Sequence, residues 1–378
     1  MIYLDNSATS YPKPPEVFEA YKKAIKYYHS NPGRGGYDNA LLTAEKIFEV
    51  REKTAVFFGE KQCENVCFTA NCTQAINTVI KGILKEGDHV VISDLEHNAV
   101  LRPLEKLRLQ SKITYDTFTS DFYDEKKTIE SFLGCLNDHT KLVFCTHASN
   151  VLGVSLPLQK IGKICKERRI IFAVDAAQSG GILLMDKQAF HIDYLCLAAH
   201  KGLFAPMGLG VLIGNGSKLE TLVEGGTGSQ SANAVQPDFM PDRLESGTAN
   251  VSGIIALGAG IDFIDRTGRE NIHKSEKDII LHIYDSFCHC SEINCYVNYE
   301  QLAQFSPVLS FNIADVPGEI VAQKLAQQGI CVRAGLHCAP LAHRKIGTDA
   351  CGTVRISPSF FTTEKEINCA ISCIKKLI

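Results

Sequence analysis

No Cys-x-x-Cys pair occurs in this sequence, although it carries 15 cysteines, and Cys288-His-Cys290 has no second half that would complete a zinc site. No metal centre is therefore expected. In a short secreted chain so many cysteines would indicate disulfides. Here several of them, Cys67, Cys145 and Cys196 among them, lie inside apolar runs of a long sequence, which fits small buried hydrophobes in a reducing cytoplasm. A surplus of one charge is missing too: 39 Lys and Arg stand against 42 Asp and Glu, a formal net charge of -3. The basic residues are scattered, so there is no electrostatic footprint for nucleic acid. Two charged clusters, Glu105 to Lys112 and Lys163 to Arg169, read as exposed helix faces. Long apolar runs are lacking: the most apolar window, Ile254 to Ile264, is short and carries Asp262, so no membrane span is expected. Met-Ile-Tyr-Leu-Asp at positions 1–5 has no basic region followed by an apolar stretch, which argues against a signal peptide. Internal repeats and low-complexity segments are absent.

What is present is an ordinary globular composition, 45% hydrophobic and 21% charged over 378 residues, enough to build a core unaided. The length exceeds the roughly 250 to 300 residues at which one core stops growing, so a large and a small domain are expected. Short apolar, β-branched runs at His89 to Ser93, Ile113 to Phe118, Lys141 to Thr146, Ile170 to Val174, Tyr194 to Ala199 and Gly208 to Gly214 read as strands. Helical patterns at Ala99 to Leu109, Glu125 to Asn137 and Pro157 to Arg168 lie between several of them. This alternation predicts an α/β fold around a largely parallel, doubly wound sheet. A polar, turn-rich arm at 1–15 precedes a helix from Pro15 to Tyr28, and the glycine-rich stretch Ser30 to Gly36 reads as a plain connection. A long helical pattern from Val251 to Ile264 marks the passage from a large domain, 16–250, to a small one, 251–378. There, strands at Leu309 to Ala314, Gly329 to Arg333 and Thr353 to Ser357 accompany helices at Gly318 to Gln328 and Thr363 to Ile378.

The informative residues fall at strand ends. Ile170 to Val174 suits a strand buried on both faces and delivers Asp175 to the sheet's rim, while Tyr194 to Ala199 delivers His200 and Lys201. Ligands of open α/β sheets bind outside the carboxyl ends of the strands. A lysine amine and a carboxylate at such a rim match the needs of pyridoxal phosphate (PLP), which takes the amine as its covalent anchor and the carboxylate as partner to its pyridine nitrogen. The plainer alternative is that Asp175 caps a helix and Lys201 is solvated. Further candidates surround these two. Asn71, Cys72 and Thr73 occupy a turn and the first positions of a helix, where free N–H groups favour a phosphate, unless they serve only as caps. His97 sits at another strand-to-helix corner, where its imidazole could stack on a flat ring or simply be solvated. Asn150 follows the Cys145 strand and faces the rim of Asp175. In the small domain, Arg333-Ala-Gly-Leu-His337-Cys338-Ala-Pro340 places a thiol beside a histidine in a loop, exposed and with positive charge near to stabilise its thiolate. Cys338 is thus the best nucleophile candidate among the cysteines, and Arg355 could clamp a carboxylate bidentately or form a structural ion pair.

Taken together, Glu96-His97, Ser149-Asn150-x-x-Gly153, Asp175-Ala-Ala-Gln178, His200-Lys201, Glu245-x-Gly-Thr248, Arg333-x-Gly-x-His-Cys338 and Arg355 resemble the fold type I PLP enzymes of aminotransferase class V. The likeness is greatest to the cysteine desulfurases and selenocysteine lyases with a short active-site loop, and it runs from Tyr3 to the last helix. It implies that Lys201 anchors the cofactor, Asp175 pairs with the pyridine nitrogen, His97 stacks on the ring, and Asn150 and Gln178 hold its hydroxyl. Thr73 and His200 would bind the phosphate, with Cys72 beside them, and Thr248 would reach the phosphate of a partner subunit in a homodimer. Arg355, with Arg333, would take the substrate carboxylate. The implied activity converts L-cysteine to L-alanine with a persulfide on Cys338, for delivery to a sulfur-acceptor protein in the cytoplasm. L-Selenocysteine as substrate, or another class V reaction such as transamination with Cys338 incidental, are the alternatives. A PLP-fold subunit that only scaffolds a partner is a more distant one. The chain departs from the pattern at Ala198, where relatives carry Ser or Thr, at Cys72, where Thr is usual, and over Leu341 to Cys351. Cys351 either resolves a persulfide or is an idle thiol.

Overall fold

The structure, a computed structural model, describes residues 1–32 and 35–378; the middle of the glycine-rich stretch at 30–36 lies outside the described residues. The chain opens with a short strand β1 (Ile2–Tyr3) and two helices, α1 (Pro15–Tyr27) and α2 (Asp38–Phe57). Strands and helices then alternate: β2 (Val66–Thr69), α3 (Cys72–Ile83), β3 (Asp88–Ser93), α4 (Asn98–Leu109), β4 (Ile113–Phe118), α5 (Glu125–Cys135), β5 (Thr140–Thr146), α6 (Leu158–Arg168) and β6 (Ile171–Asp175), followed by β7 (Tyr194–Ala198) and β8 (Gly210–Ile213).

These strands form one sheet in the order β2-β8-β7-β6-β5-β3-β4. Alternation of side chains across the pleat explains why the inner strands are largely apolar, whereas the edge strand β4 leaves Thr114, Asp116 and Thr117 exposed. Val143, Cys145, Val174, Leu195 and Leu197 join the core on one face, whereas Leu142, Phe144, Ala173, Tyr194 and Cys196 join the core on the other. Both faces of these inner strands are buried, so no polar alternation survives in their sequence. β4, β3, β5, β6 and β7 run parallel; β8 is antiparallel to β7, and β2, antiparallel to β8, runs in the direction of the parallel set. The parallel strands bring Ser93, Thr146, Asp175 and Ala198 to one edge.

The remainder comprises α7 (Val251–Thr267), α8 (Arg269–Cys288), β9 (Ile293–Cys295), β10 (Leu309–Ile313), α9 (Gly318–Gln327), β11 (Ile330–Cys331), β12 (Arg333–Gly335), α10 (Pro340–Lys345), β13 (Thr353–Ile356) and α11 (Glu364–Lys375). A second, antiparallel sheet runs β12-β13-β10-β9. Helix α7 begins under an Asn250 cap whose side chain accepts from Gly253 N at 3.0 Å, and it packs on α1 and α2. The N-terminal arm crosses to this part of the chain: β1 and β11 form a separate two-stranded parallel sheet, and Asp5 bridges Ser357 just beyond β13.

The run from Gly329 to Arg333, expected as one strand, is two. Ile330 and Cys331 pair with the arm, and after Val332 the chain joins β13 instead. The last helix starts after Thr363, which caps it in a reciprocal box with Glu366 and ends the preceding loop there. Helices α2, α8 and α10 were not expected from the sequence. Among the described residues, no helix is long and apolar enough to cross a membrane.

Candidate active site

Asp175 is the last residue of β6 and only 4% exposed. Its Oδ1 accepts from Ala177 N at 2.9 Å and faces the Cys72 thiol at 3.7 Å. Lys201 lies in the turn after β7, the strand hydrogen-bonded to β6, so the two functional groups come from neighbouring strand ends. The Lys201 amine has no hydrogen bond or ion pair among the described residues. Burial lowers its pKa and Arg355 and Arg333 push the same way, while Asp175 opposes them. An amine held nearer to neutrality by its surroundings is a better nucleophile and base.

Helix α3 points its N-terminus at this edge. Asn71 caps it by accepting from Gln74 N at 2.9 Å, and the N–H groups of Cys72 and Thr73 at its first two positions cannot bond within the helix. Gly210 on β8 makes the approach possible, since a Cβ there would fall 2.3 Å from Asn71 C and 2.6 Å from Cys72 N. Cys72 itself turns toward Asp175, and burial, then Asp175, keep its thiol protonated. Thr73 is exposed. His97 caps α4: its Nδ1 accepts from Ala99 N at 3.0 Å, which leaves the proton of the neutral ring on Nε2. Burial lowers its pKa, and Asp175, Lys201 and Arg355 are among the charges it feels. His200 has a buried Nδ1 without a partner among the described residues and a pKa lowered to about 4, first by burial and then by Lys201.

Cys338 stands exposed on the loop between β12 and α10. Both it and His337 have positive φ, 59° and 47°, a costly conformation for residues with a side chain. The backbone is held there from the large sheet's side: Asn150 Nδ2 donates to His337 O at 2.6 Å and Asn98 N donates to Cys338 O at 2.7 Å. The His337 ring is buried against Thr353 O at 3.0 Å, its pKa lowered to about 3 by burial and by Arg355. Asn150 thus carries a loop-holding role besides the one expected of it, and Gln178 likewise donates to Ser7 O at 3.0 Å in the arm.

Arg355 on β13 is 3% exposed, with Nη1 donating to Asn150 O at 3.0 Å and Nη2 paired with Asp5 Oδ1 at 2.9 Å. Its buried Nε has no partner among the described residues, so an unmatched donor remains for a ligand. Arg333 is exposed and meets the other oxygen of Asp5. Thr248 stands apart, exposed beside a cleft of about 690 Å³ also lined by Arg51, Phe68, Gln74 and Phe48. Glu245 anchors its segment, accepting from Arg51 at 2.7 and 2.9 Å and from Phe68 N at 2.7 Å. Sequence reasoning gave no role to Asp5, Arg51 or Glu96. Glu96 is fully buried behind the edge, its Oε1 accepting from Ser93 Oγ and from Thr146 N at 2.8 Å.

A buried amine, a carboxylate, a helix N-terminus and buried nitrogens on His200 and Arg355 that have no partner among the described residues fit a flat, anionic, carbonyl-bearing cofactor. With a mostly parallel sheet beneath them, they define a PLP enzyme of fold type I. Comparison with known proteins gives the same result: the family model Aminotransferase class-V matches residues 2–369, and the chain belongs to that family of PLP-dependent enzymes. A probable cysteine desulfurase of Methanothermobacter thermautotrophicus is 33% identical over 97% of this chain and 92% of its own length. One from Pyrococcus abyssi is 31% identical over 100% of this chain and 94% of its own. The apo structure of the cysteine desulfurase from Thermococcus onnurineus NA1, 31% identical, superposes with a TM-score of 0.90 over 100% of this chain and 94% of that one. The Escherichia coli cysteine desulfurase CsdA, 24% identical, shares the fold with a TM-score of 0.86 over 99% of this chain and 94% of that one.

Proposed function

We propose that this chain is a PLP-dependent cysteine desulfurase that moves sulfur from L-cysteine onto Cys338 and releases L-alanine. The observation that carries the reading is an exposed thiol on a loop clamped, through Asn150 and Asn98, to the edge that holds Lys201 and Asp175. Lys201 would anchor PLP and Asp175 would face its pyridine nitrogen. His97 would lie against the ring, Asn150 and Gln178 near its hydroxyl, and Thr73, His200 and the start of α3 around its phosphate. When bound, PLP supplies an electron sink for the bonds broken at the amino acid.

The chain's own groups do the rest. Arg355 holds the substrate carboxylate through its free donors, which orients the Cα–H bond. Lys201 Nζ, its pKa lowered by burial, takes the Cα proton. Cys338 Sγ attacks the substrate sulfur: an S–S bond forms, the Cβ–S bond breaks and its electron pair stays with carbon. The proton given up by the Cys338 thiol is delivered to that carbon, with His97 as its carrier, and Lys201 returns the proton it took to Cα, which completes alanine. The persulfide then sits on an exposed loop, accessible to an acceptor protein.

A homodimer is part of this reading, supported by the exposed apolar residues Leu41, Leu42 and Phe48 of α2 near the cleft that Thr248 borders. A cytoplasmic setting is supported by the buried thiols Cys67, Cys145, Cys165 and Cys196, which pack as hydrophobes. The test is Cys338→Ala. The variant should retain the cofactor's visible absorbance and release no sulfide from L-cysteine, whereas wild type incubated with L-cysteine should gain one sulfur on Cys338 by mass; undiminished turnover by the variant refutes the assignment.

A further inference from the structure

The register of the second sheet creates an electrostatic problem at the substrate clamp. Arg333 on β12 and Arg355 on β13 are direct cross-strand partners, and like charges placed opposite each other repel. The arm resolves it. Leu4 N donates to Cys331 O at 2.9 Å, Asn6 N to Ser357 O at 3.1 Å and Ser7 N to Ser357 Oγ at 2.8 Å. These bonds hold Asp5 between the two guanidinium groups. One carboxylate oxygen takes Arg355 Nη2 at 2.9 Å, and the other takes Arg333 Nε at 3.1 Å and Nη2 at 3.0 Å. Asp5 is 13% exposed and Arg333 52%, so the bridge closes the solvent side of the clamp while Arg355 stays buried. Both arginines also lower the pKa of Lys201, after burial, which places the two guanidinium groups within electrostatic reach of that amine.

Two positive charges and one negative leave a single net positive charge. We propose that Asp5 is a specificity-determining residue: by bridging Arg333 and Arg355 it matches the clamp to an amino acid with one carboxylate and disfavours substrates whose side chain carries a second negative charge. The inference rests on the amino-acid-binding reading above and adds to it a residue and a selectivity. Without the bridge, Arg333 is freed as a second anion site on the open side and the clamp carries two charges. A neutral side chain gains nothing from that change, whereas an acidic one gains a partner.

The test titrates the holoenzyme with L-alanine and with L-aspartate, neither of which has sulfur to lose, and follows the cofactor's visible absorbance to obtain a Kd for each. In wild type L-alanine should bind more tightly. Asp5→Asn should lower the ratio of the L-aspartate Kd to the L-alanine Kd at least fivefold, and Asp5→Glu should keep it within twofold of wild type. Arg333→Gln removes a positive charge instead and should raise the ratio at least fivefold, a result that stands even if Asp5→Asn does not fold. Combining Asp5→Asn with Arg333→Gln restores one net charge and should return the ratio toward the wild-type value. A ratio unmoved by the single substitutions, or both Kd values rising by the same factor, overturns the assignment. If wild type responds to neither amino acid, the reading of the site as an amino-acid site fails first, an outcome distinct from an unmoved ratio.

Discussion

Glu96 gives a quantitative prediction. It is fully buried, and only its Oε1 is satisfied, by Ser93 Oγ and Thr146 N; Oε2 has no partner among the described residues. Burial, set against the hydrogen bonds from Ser93 and Thr146 and aided by the nearby Asp175 charge, raises its pKa from 4.5 to about 8. Between those values the folded chain keeps a proton that the unfolded chain has lost. Stability is therefore fully present below pH 4.5 and declines as pH rises toward 8, at about 1.4 kcal/mol per pH unit for this one group. The accumulated loss is about 3 kcal/mol at pH 7 and about 5 kcal/mol by pH 8. Glu96→Gln reproduces the protonated shape: its oxygen can still accept from Ser93 and Thr146, and it cannot ionise. Near pH 4.5 the variant should match wild type. At pH 7 it should melt about 4 °C higher, taking an unfolding entropy of about 0.8 kcal/mol/K for a chain of this size. Melting curves recorded by circular dichroism from pH 4.5 to 8 provide the measurement. Curves that run parallel, or a variant that falls below wild type at pH 8, would show that Glu96 ionises in the folded state at its ordinary pH and that the burial argument is wrong.

Two other substitutions probe the supports of the site. Glu245→Ala leaves Arg51, whose side chain is 7% exposed, without its carboxylate and leaves Phe68 N without an acceptor; it should cost about 3 to 5 kcal/mol in urea denaturation, with Glu245→Gln milder. Arg355→Lys keeps a charge but loses the fork that reaches Asn150 O and Asp5 together. The KM for L-cysteine should rise about 30-fold, equivalent to one charge-assisted hydrogen bond of about 2 kcal/mol, with a smaller fall in kcat. A change in kcat alone would place Arg355 away from the substrate carboxylate.

The large sheet was legible because its inner strands are buried on both faces and read as apolar runs, two of them ending in Asp175 or just before His200 and Lys201. Those residue types at strand ends carried most of the site. Helix α2 escaped notice because Leu41, Leu42 and Phe48 are apolar yet exposed, which blurs the helical stripe. The break at Val332 was invisible because the two halves differ only in which distant strand they pair with. Asp5 lies some 330 residues from Arg333 in the chain, so its link to the arginines depends on the pairing of β1, β11, β12 and β13, which no local pattern encodes. Glu96 belonged to a recognisable motif, but its burial follows from the sheet's edge and not from its neighbours in sequence.

The first ten residues are stitched to the residues of the proposed site at several points: Thr9 Oγ1 and Ser10 N donate to His200 O at 3.2 and 3.1 Å, Ser7 O accepts from Gln178, and Asp5 joins the arginines. A practical rule for anyone expressing this protein comes out of that threading. Affinity handles belong at the far terminus, and trimming the opening residues to tidy a crystal would remove part of the machinery along with the slack.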